Sequence, residues 1–308
     1  MTGALILDFI LSHCDKNSND TTYRALALKW LKLVLKDIQT RQESFHWRFL
    51  EVKGAAFDLT ADDFDYAFAT ILPTTLIDTT KVIHVYEKRN DITYTFVPYE
   101  RFRQLVADES QQTGTTRWYS IYANSLLLYP VPSFDAVTGT ADATTAFKLR
   151  DSTATFITDG VKVGMRATDT GASLTAIITA IDSEIQLSVD TDIFVATDTY
   201  SIKEVAYIDY IKMMAVAADD AVALDVPDKY EKIVIDGVLE FAYQFDPELG
   251  SMADQHIKYE KAIERMIKEN GQIIAENKKP VSHRDKYNKR YDAEGKDSPL
   301  FPIDNTNM

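Results

Sequence analysis

Hydrophobic residues recur with the period of an α-helix in two stretches near the C-terminus, residues 226–245 and 250–272. In the first stretch they repeat at i, i+4, i+7, i+8 and i+11 and fall on one helix face: Val234, Val238, Phe241, Ala242 and Phe245. Pro227 suits the first helical turn, where its missing N–H would have no partner. Asp246-Pro247 ends the helix because the residue before a proline is pushed out of the α region. We therefore predict a helical hairpin in this segment.

A second pair of helices is predicted at the N-terminus, over residues 3–13 and 22–42, with Asp20 or Thr21 as the N-cap of the longer one. Apolar side chains cover most of the longer helix: Leu26, Leu28, Trp30, Leu31, Leu33, Val34, Leu35 and Ile38. A helix so apolar is normally buried among neighbours or between subunits. Its remaining polar stripe consists of Lys29, Lys32 and Lys36. This stripe is either a solvated face or a contact with a neighbouring subunit, an acidic partner or DNA.

The pattern between these helices changes to short runs of β-branched and aromatic residues, which predict strands. The paired runs are 47–52 with 55–60, 81–86 with 93–97, and 118–122 with 125–129. Gly54 is expected to be the turn of the first hairpin. Residues 205–216 resume the aromatic and β-branched character of residues 117–129, and we expect them to form a strand that pairs with the earlier ones.

Residues 134–200 form a separate compositional region. They contain no proline and hold 10 Asp and Glu against 4 Lys and Arg, a net charge of −6. Short β-type runs recur at 153–157, 162–168, 174–181, 184–189 and 199–202. Short strands separated by turn residues indicate a small barrel or sandwich.

These patterns together predict an α+β protein with three parts. Residues 1–133 and 204–276 form a discontinuous core, which combines the long N-terminal helix and the C-terminal helical hairpin with a mixed β region. Residues 134–203 form an inserted small all-β domain, and residues 277–308 form an extended C-terminal tail.

The tail has little aliphatic material with which to bury itself, so it is either a free terminus or a segment that becomes ordered on a partner. Its first half is basic and carries two tyrosines, and a short apolar spot follows. We predict that these residues bind the partner: Lys278, Lys279, Arg284, Lys286, Tyr287, Lys289, Arg290, Tyr291, Leu300 and Phe301.

Charge and composition exclude several classes of protein. The formal net charge of −14 argues against a protein that coats nucleic acid, because that role needs surplus Lys and Arg. No apolar run approaches the ~20 residues that a bilayer crossing needs, and residues 5–11 include Asp8 without a preceding basic region, unlike a secretory signal. The single cysteine, Cys14, fits synthesis in a reducing cytoplasm.

Candidate chemistry is sparse. The five histidines are scattered without zinc-type spacing, and the sequence contains neither a phosphate-binding glycine loop nor a GxSxG motif. Acid pairs such as Asp62/Asp63 and Asp219/Asp220 are more often solvated loop charges than a general acid and base. We predict no catalytic residues, no metal site and no cofactor.

The order of elements resembles that of the head-to-tail adaptor, or connector, proteins of tailed bacteriophages, especially short-tailed ones (podoviruses). The segments that carry the resemblance are 125–132, 226–245 and 252–268, and the likeness covers about two thirds of the chain. Residues 134–203 depart from the minimal adaptor pattern and resemble small β modules of other virion proteins.

The resemblance implies a structural virion protein, made in the host cytoplasm, that forms a ring, commonly of twelve subunits, beneath the portal protein. Such a ring extends the channel that double-stranded DNA crosses and offers a docking surface to tail or nozzle proteins, while the C-terminal tail reaches the portal. No membrane is involved. The second face of the first hairpin helix, with Ile233, Ile235 and Leu239, would then pack either within its own chain or against a neighbouring subunit.

Two other functions stay open at this point. The chain could be a different neck, tail or baseplate component that uses the β insert as its contact module. It could also be a virion-associated hydrolase of cell-wall glycans that works with a pair of carboxylates.

Overall fold

The computed structural model of the chain describes residues 2–17, 19–41, 45–74, 81–89, 91–108, 112–214 and 223–273. Its helices are α1 (Gly3–His13), α2 (Thr21–Thr40), α3 (Phe68–Ile71), α4 (Tyr99–Asp108), α5 (Glu231–Phe245) and α6 (Met252–Asn270). No helix in these ranges combines the length and the hydropathy needed to cross a bilayer.

Helices α1, α2, α5 and α6 pack around one hydrophobic cluster. Asp20 is the N-cap of α2, and its Oδ1 accepts the backbone N–H groups of Thr22 and Tyr23 at 2.9 and 3.1 Å. The buried side chains of the cluster include Ile6, Leu7 and Ile10 of α1, Leu31, Val34, Leu35 and Ile38 of α2, Val234 and Val238 of α5, and Tyr259, Ile263 and Met266 of α6. The two N-terminal helices and helices α5 and α6 thus form one layer.

The C-terminal helices start slightly later than the sequence predicts. Pro227 is extended, and a single 3-10 turn, Asp228–Tyr230, precedes α5. Asp246 leaves the α region as expected before Pro247. The second helix begins at Met252 rather than at Gly250.

Two four-stranded sheets share a second hydrophobic cluster, which includes Phe57, Val85 and Ile208 of one sheet and Leu126 and Leu128 of the other. The first sheet has the order β2-β15-β4-β5, with β2 (Glu51–Asp58), β4 (Val82–Glu87), β5 (Ile92–Thr93) and β15 (Val205–Ile211). The second has the order β3-β8-β7-β6, with β3 (Asp65–Ala67), β6 (Thr95–Phe96), β7 (Trp118–Tyr122) and β8 (Ser125–Tyr129).

Residues 205–211 pair with the earlier strands β2 and β4, whereas β8 takes β3 as its second neighbour. One strand-pairing prediction was wrong. Gly54 is not a hairpin turn; with φ of +63° it lies inside β2, where residues 53 and 54 oppose Asp209 alone. This is a β-bulge, a position that favours glycine in the left-handed region, and the Gly54 N–H donates to Asp209 Oδ1 at 2.6 Å.

Residues 134–203 hold a six-stranded antiparallel sheet of order β10-β13-β12-β11-β14-β9. Its strands are β9 (Val137–Thr140), β10 (Lys148–Arg150), β11 (Arg166–Asp169), β12 (Leu174–Ser183), β13 (Gln186–Val189) and β14 (Thr199–Lys203). The Asp142 N–H donates to the carbonyl of Arg150, so the two edges of the sheet meet. The sheet encloses its own hydrophobic cluster.

The sequence pattern does not predict β9 and β10. Residues 153–157, which were expected to form a strand, form turns. Phe156 in that segment is nevertheless fully buried in the cluster. The apolar content of this run therefore reflects a loop that covers the core of the sheet.

A two-stranded pairing of β1 (Phe45–Trp47) with β16 (Gly271–Ile273) follows helix α6. The Trp47 Nε1–H donates to the carbonyl of Ile38 at 2.9 Å. All ten residues assigned to partner binding in the tail lie outside the described residues, and so does Asp219/Asp220.

Candidate interaction surfaces

The lysine stripe of α2 faces outward. Lys29 and Lys36 are exposed and Lys32 is partly buried. Leu33, expected on the buried face, lies among them with 48% of its surface exposed. A contact of this stripe with DNA or with a neighbouring subunit stays a prediction.

The second face of α5 packs within its own chain. Ile233 and Leu239 are only 7% and 6% exposed, and Ile235 is partly buried against the same helical cluster. These three side chains therefore hold the subunit's own helices together. A contact between them and a neighbouring subunit stays a prediction.

Other apolar side chains of the helical layer do reach the surface. Leu5 and Phe9, one turn apart on α1, are 62% and 50% exposed. Phe245, Met252 and Ile257 are also exposed where α5 ends and α6 begins. Exposed apolar side chains in such groups are typical of protein contact surfaces.

An arginine clamps α2 to α6. The Arg41 guanidinium donates through Nη1 and Nη2 to the two carboxylate oxygens of Glu260, at 2.8 and 2.6 Å. Its Nε donates to Asp37 Oδ2 at 2.9 Å, and the Tyr259 hydroxyl donates to the same oxygen at 2.8 Å. The hydrogen bonds from Arg41 lower the pKa of the Glu260 carboxyl, and burial raises the pKa of the Tyr259 hydroxyl.

A second set of charges lies where residues 134–203 return to the β2-β15-β4-β5 sheet. Arg89 lies between Glu87 and Glu204, and all three side chains are mostly buried. Its Nη1 donates to Glu204 Oε1 at 2.7 Å, whereas its Nε forms a 2.8 Å ion pair with Glu87 that lacks hydrogen-bond alignment. Gly164 approaches Arg89 so closely that a Cβ at this position would lie 3.1 Å from the Arg89 Cβ.

A second ion pair spans the same junction, between Arg166 of β11 and Asp58 of β2 at 3.3 Å. Beside it lies a cleft with a volume of about 520 Å³, whose lining includes the acidic residues Asp58, Asp63 and Asp65 and the basic residues Arg166 and Lys203. Asp63 Oδ1 accepts the Asp65 N–H at 3.1 Å, so this carboxylate supports a turn.

Two of the histidines that could act in catalysis have hydrogen-bond partners within the chain. His13 is hydrogen bonded to the Tyr243 hydroxyl, and His256 to Glu240. Burial raises the pKa of the Cys14 thiol, which disfavours the nucleophilic thiolate. Within the described ranges, no group of three or more His, Cys, Asp or Glu side chains is arranged to hold a metal ion.

Sequence reasoning missed the residues that the tertiary structure makes most distinctive. No local pattern marks Arg89, because one of its two carboxylate partners, Glu204, is 115 positions away. Phe147 and Val195 are exposed in two loops and Leu174 at the start of β12, and no periodic pattern links them.

The chain matches the protein family described as SU10 adaptor protein over residues 1–283. The matched range includes the helical layer, the two four-stranded sheets and residues 134–203. Among curated protein sequences, none matches this chain.

Proposed function

The chain belongs to the SU10 adaptor protein family of bacteriophages, and on that basis we propose that it joins the head of a short-tailed phage to its tail. The observation that supports this proposal is the family match across residues 1–283. The role is structural and not enzymatic: the protein is a virion component that transmits DNA without modifying it.

The proposed assembly is a ring beneath the portal protein, in which each subunit contacts a copy of itself. The outer face of α1 suits this contact, because Leu5 and Phe9 expose apolar surface while the rest of the helix packs on α2 and α5. We assign this surface of α1 to a contact with a second copy of the chain, because a closed ring needs a repeated contact between subunits. Twelve subunits is the stoichiometry that the family resemblance implies.

The net charge of −14 suits the passage of DNA through such a ring. An acidic surface repels phosphates, so DNA moves past it without binding. The lysine stripe of α2 is an exposed basic surface of the described helical layer. We assign this stripe to a contact with a neighbouring subunit or with the channel.

The C-terminal tail, residues 277–308, supplies the proposed contact with the portal. Its basic and aromatic residues lie beyond β16, which directly follows α6 in the chain. On the opposite side of the ring, tail or nozzle proteins would dock.

The direct test mixes the purified protein with the purified portal protein of the same phage and measures association by sedimentation and negative-stain imaging. We expect a ring on the portal and little ring formation without it. A Phe9→Ser variant should fold but assemble poorly, whereas Val163→Ser, an equally exposed apolar site in residues 134–203, should assemble normally. Complete absence of association with the portal would overturn the proposal.

A further inference from the structure

Three loops of the six-stranded sheet, one of them taken with its bounding strand residues Asp169 and Leu174, meet at one end of it: residues 141–147, 169–174 and 190–198. The strand register places them together, since Asp169 is opposite both Leu174 and Tyr200, and Thr140 is opposite Thr199. The other end of the sheet carries Arg166, which contacts Asp58 of the core. We call the three loops the distal tip.

Hydrogen bonds fix two of these loops to each other. The Thr197 N–H donates to the Ala141 carbonyl at 2.7 Å, and the Ala196 N–H donates to Thr144 Oγ1 at 2.9 Å. The Phe147 N–H donates to Asp192 Oδ1 at 3.0 Å. The distal tip therefore presents a preorganised surface, which lowers the entropy cost of binding.

Each loop of the distal tip exposes one large apolar side chain. Phe147, Leu174 and Val195 are 54%, 50% and 50% exposed. Phe147 also has a φ of +57°, a left-handed conformation that is unfavourable for a bulky residue. Neither this conformation nor the exposed ring contributes to the core of the sheet, so the core does not account for a phenylalanine at this position.

Charge at the distal tip is of one sign. The three loops contain Asp142, Asp169, Asp190, Asp192 and Asp198, and they contain no Lys or Arg. Asp169 is buried and accepts the N–H groups of Gly171 and Ala172, whereas Asp142, Asp190 and Asp192 are exposed. Such a surface repels nucleic acid, anionic lipid and a second copy of itself.

We propose that the distal tip docks a protein partner whose surface has an apolar recess flanked by Lys and Arg side chains. The apolar residues supply the buried anchors, and the carboxylates steer and orient the basic partner. This inference rests on the proposed function, in which the partner is another virion protein on the tail side. It gives residues 134–203 a task that the helical layer does not perform.

The first experiment replaces Phe147 with the photo-crosslinking residue p-benzoylphenylalanine during phage production and irradiates purified virions. We expect crosslinking to one other virion protein, at a site rich in Lys and Arg. Ile157 serves as the matched control: it is 56% exposed but lies beside Glu184 in the β12–β13 turn, at the opposite end of the sheet, and should not give this product. Crosslinking of position 147 to a second copy, to DNA or to nothing overturns the proposal.

The second experiment measures binding of the identified partner to purified protein. Phe147→Gly should weaken it about 30-fold or more, the loss typical of a central aromatic anchor. Glycine adopts the left-handed region freely, so this variant should be at least as stable as the parent, which separates lost binding from misfolding. Binding should also weaken between about 50 and 300 mM NaCl, since salt screens the aspartates.

Unchanged binding of the Phe147→Gly variant would overturn the proposal. Failure of the proposed function gives a different result: the chain would then be missing from purified virions. If the chain is in the virion and position 147 fails to crosslink to another protein, the docking inference fails alone.

Discussion

Arg89 donates a 2.7 Å hydrogen bond to Glu204, the residue that connects β14 with β15. The first residue lies in the turn between β4 and β5, and the second lies where residues 134–203 return to the neighbouring sheet. With Glu87 on its other side, the guanidinium neutralises two mostly buried carboxylates. One side chain therefore holds the link between β14 and β15 against the β4–β5 turn.

Removal of this arginine should destabilise the protein strongly. Arg89→Ala leaves Glu87 and Glu204 buried without their cation, a change that costs about 3–5 kcal/mol. Urea unfolding at neutral pH measures the loss. Arg101→Ala, an exposed site whose guanidinium bonds to Gln104, is the control and should change stability by less than about 0.5 kcal/mol. Equal effects of the two substitutions would contradict the role given to Arg89.

The Arg41–Glu260 pair should make stability depend on pH. The folded pKa of Glu260 lies below its ordinary value of 4.5, so its stabilising contribution is present above that pH and is lost as the pH falls. Glu260→Gln should cost about 1 kcal/mol at pH 7, since the pair is partly solvated. The difference between parent and variant should shrink below about pH 4.

Urea unfolding at several pH values measures this difference. Glu264→Gln, on an exposed position of the same helix, is the matched control and should show no such trend. A difference that stays constant down to pH 3 would exclude the assignment.

Gly237 should not tolerate a side chain, because α5 passes close to α2 and α6 at this residue. A Cβ there would lie 2.8 Å from the Tyr259 ring and 2.9 Å from Val34 Cγ1. Alanine favours helix by about 1 kcal/mol over glycine, but overpacking of this kind costs about 1–3 kcal/mol. We expect Gly237→Ala to lower the thermal midpoint, and Val34→Ala in the same chain to restore part of the loss. A gain in stability from Gly237→Ala alone would disprove the close contact.

Residues 136–202 should be replaceable by a short Gly/Ser linker without loss of the helical layer. The hydrophobic cluster of the six-stranded sheet shares no residue with the helical cluster. Circular dichroism should retain the helical signal of α1, α2, α5 and α6. Collapse of that signal would show that residues 134–203 are integral to the core.

Deletion of residues 277–308 should leave the fold intact and abolish attachment to the portal. The segment contributes little apolar material to a core, and its basic and aromatic residues are the proposed contact. Sedimentation with purified portal measures the attachment, and circular dichroism is the control for folding. Insoluble or unfolded truncated protein would contradict this division of roles.

Local patterns in the sequence were sufficient for most elements. The spacing of Val234, Val238 and Phe241 predicts α5, and Asp20 marks the start of α2. Ala123-Asn124 marks the β7–β8 hairpin, where these two residues form a two-residue turn with positive φ. These features depend on residues within a few positions of one another, and short-range interactions suffice to determine them.

Long-range contacts decided the rest. The bulge at Gly54 exists because β15, more than 150 positions later, supplies Asp209 as the partner of its N–H. The sequence shows only that Ile233 and Leu239 are apolar. The packing of α1, α2 and α6 around α5 shows that their own chain buries them. The distal tip and the Arg89 junction likewise depend on which strands pair, and strand pairing is a property of the whole chain.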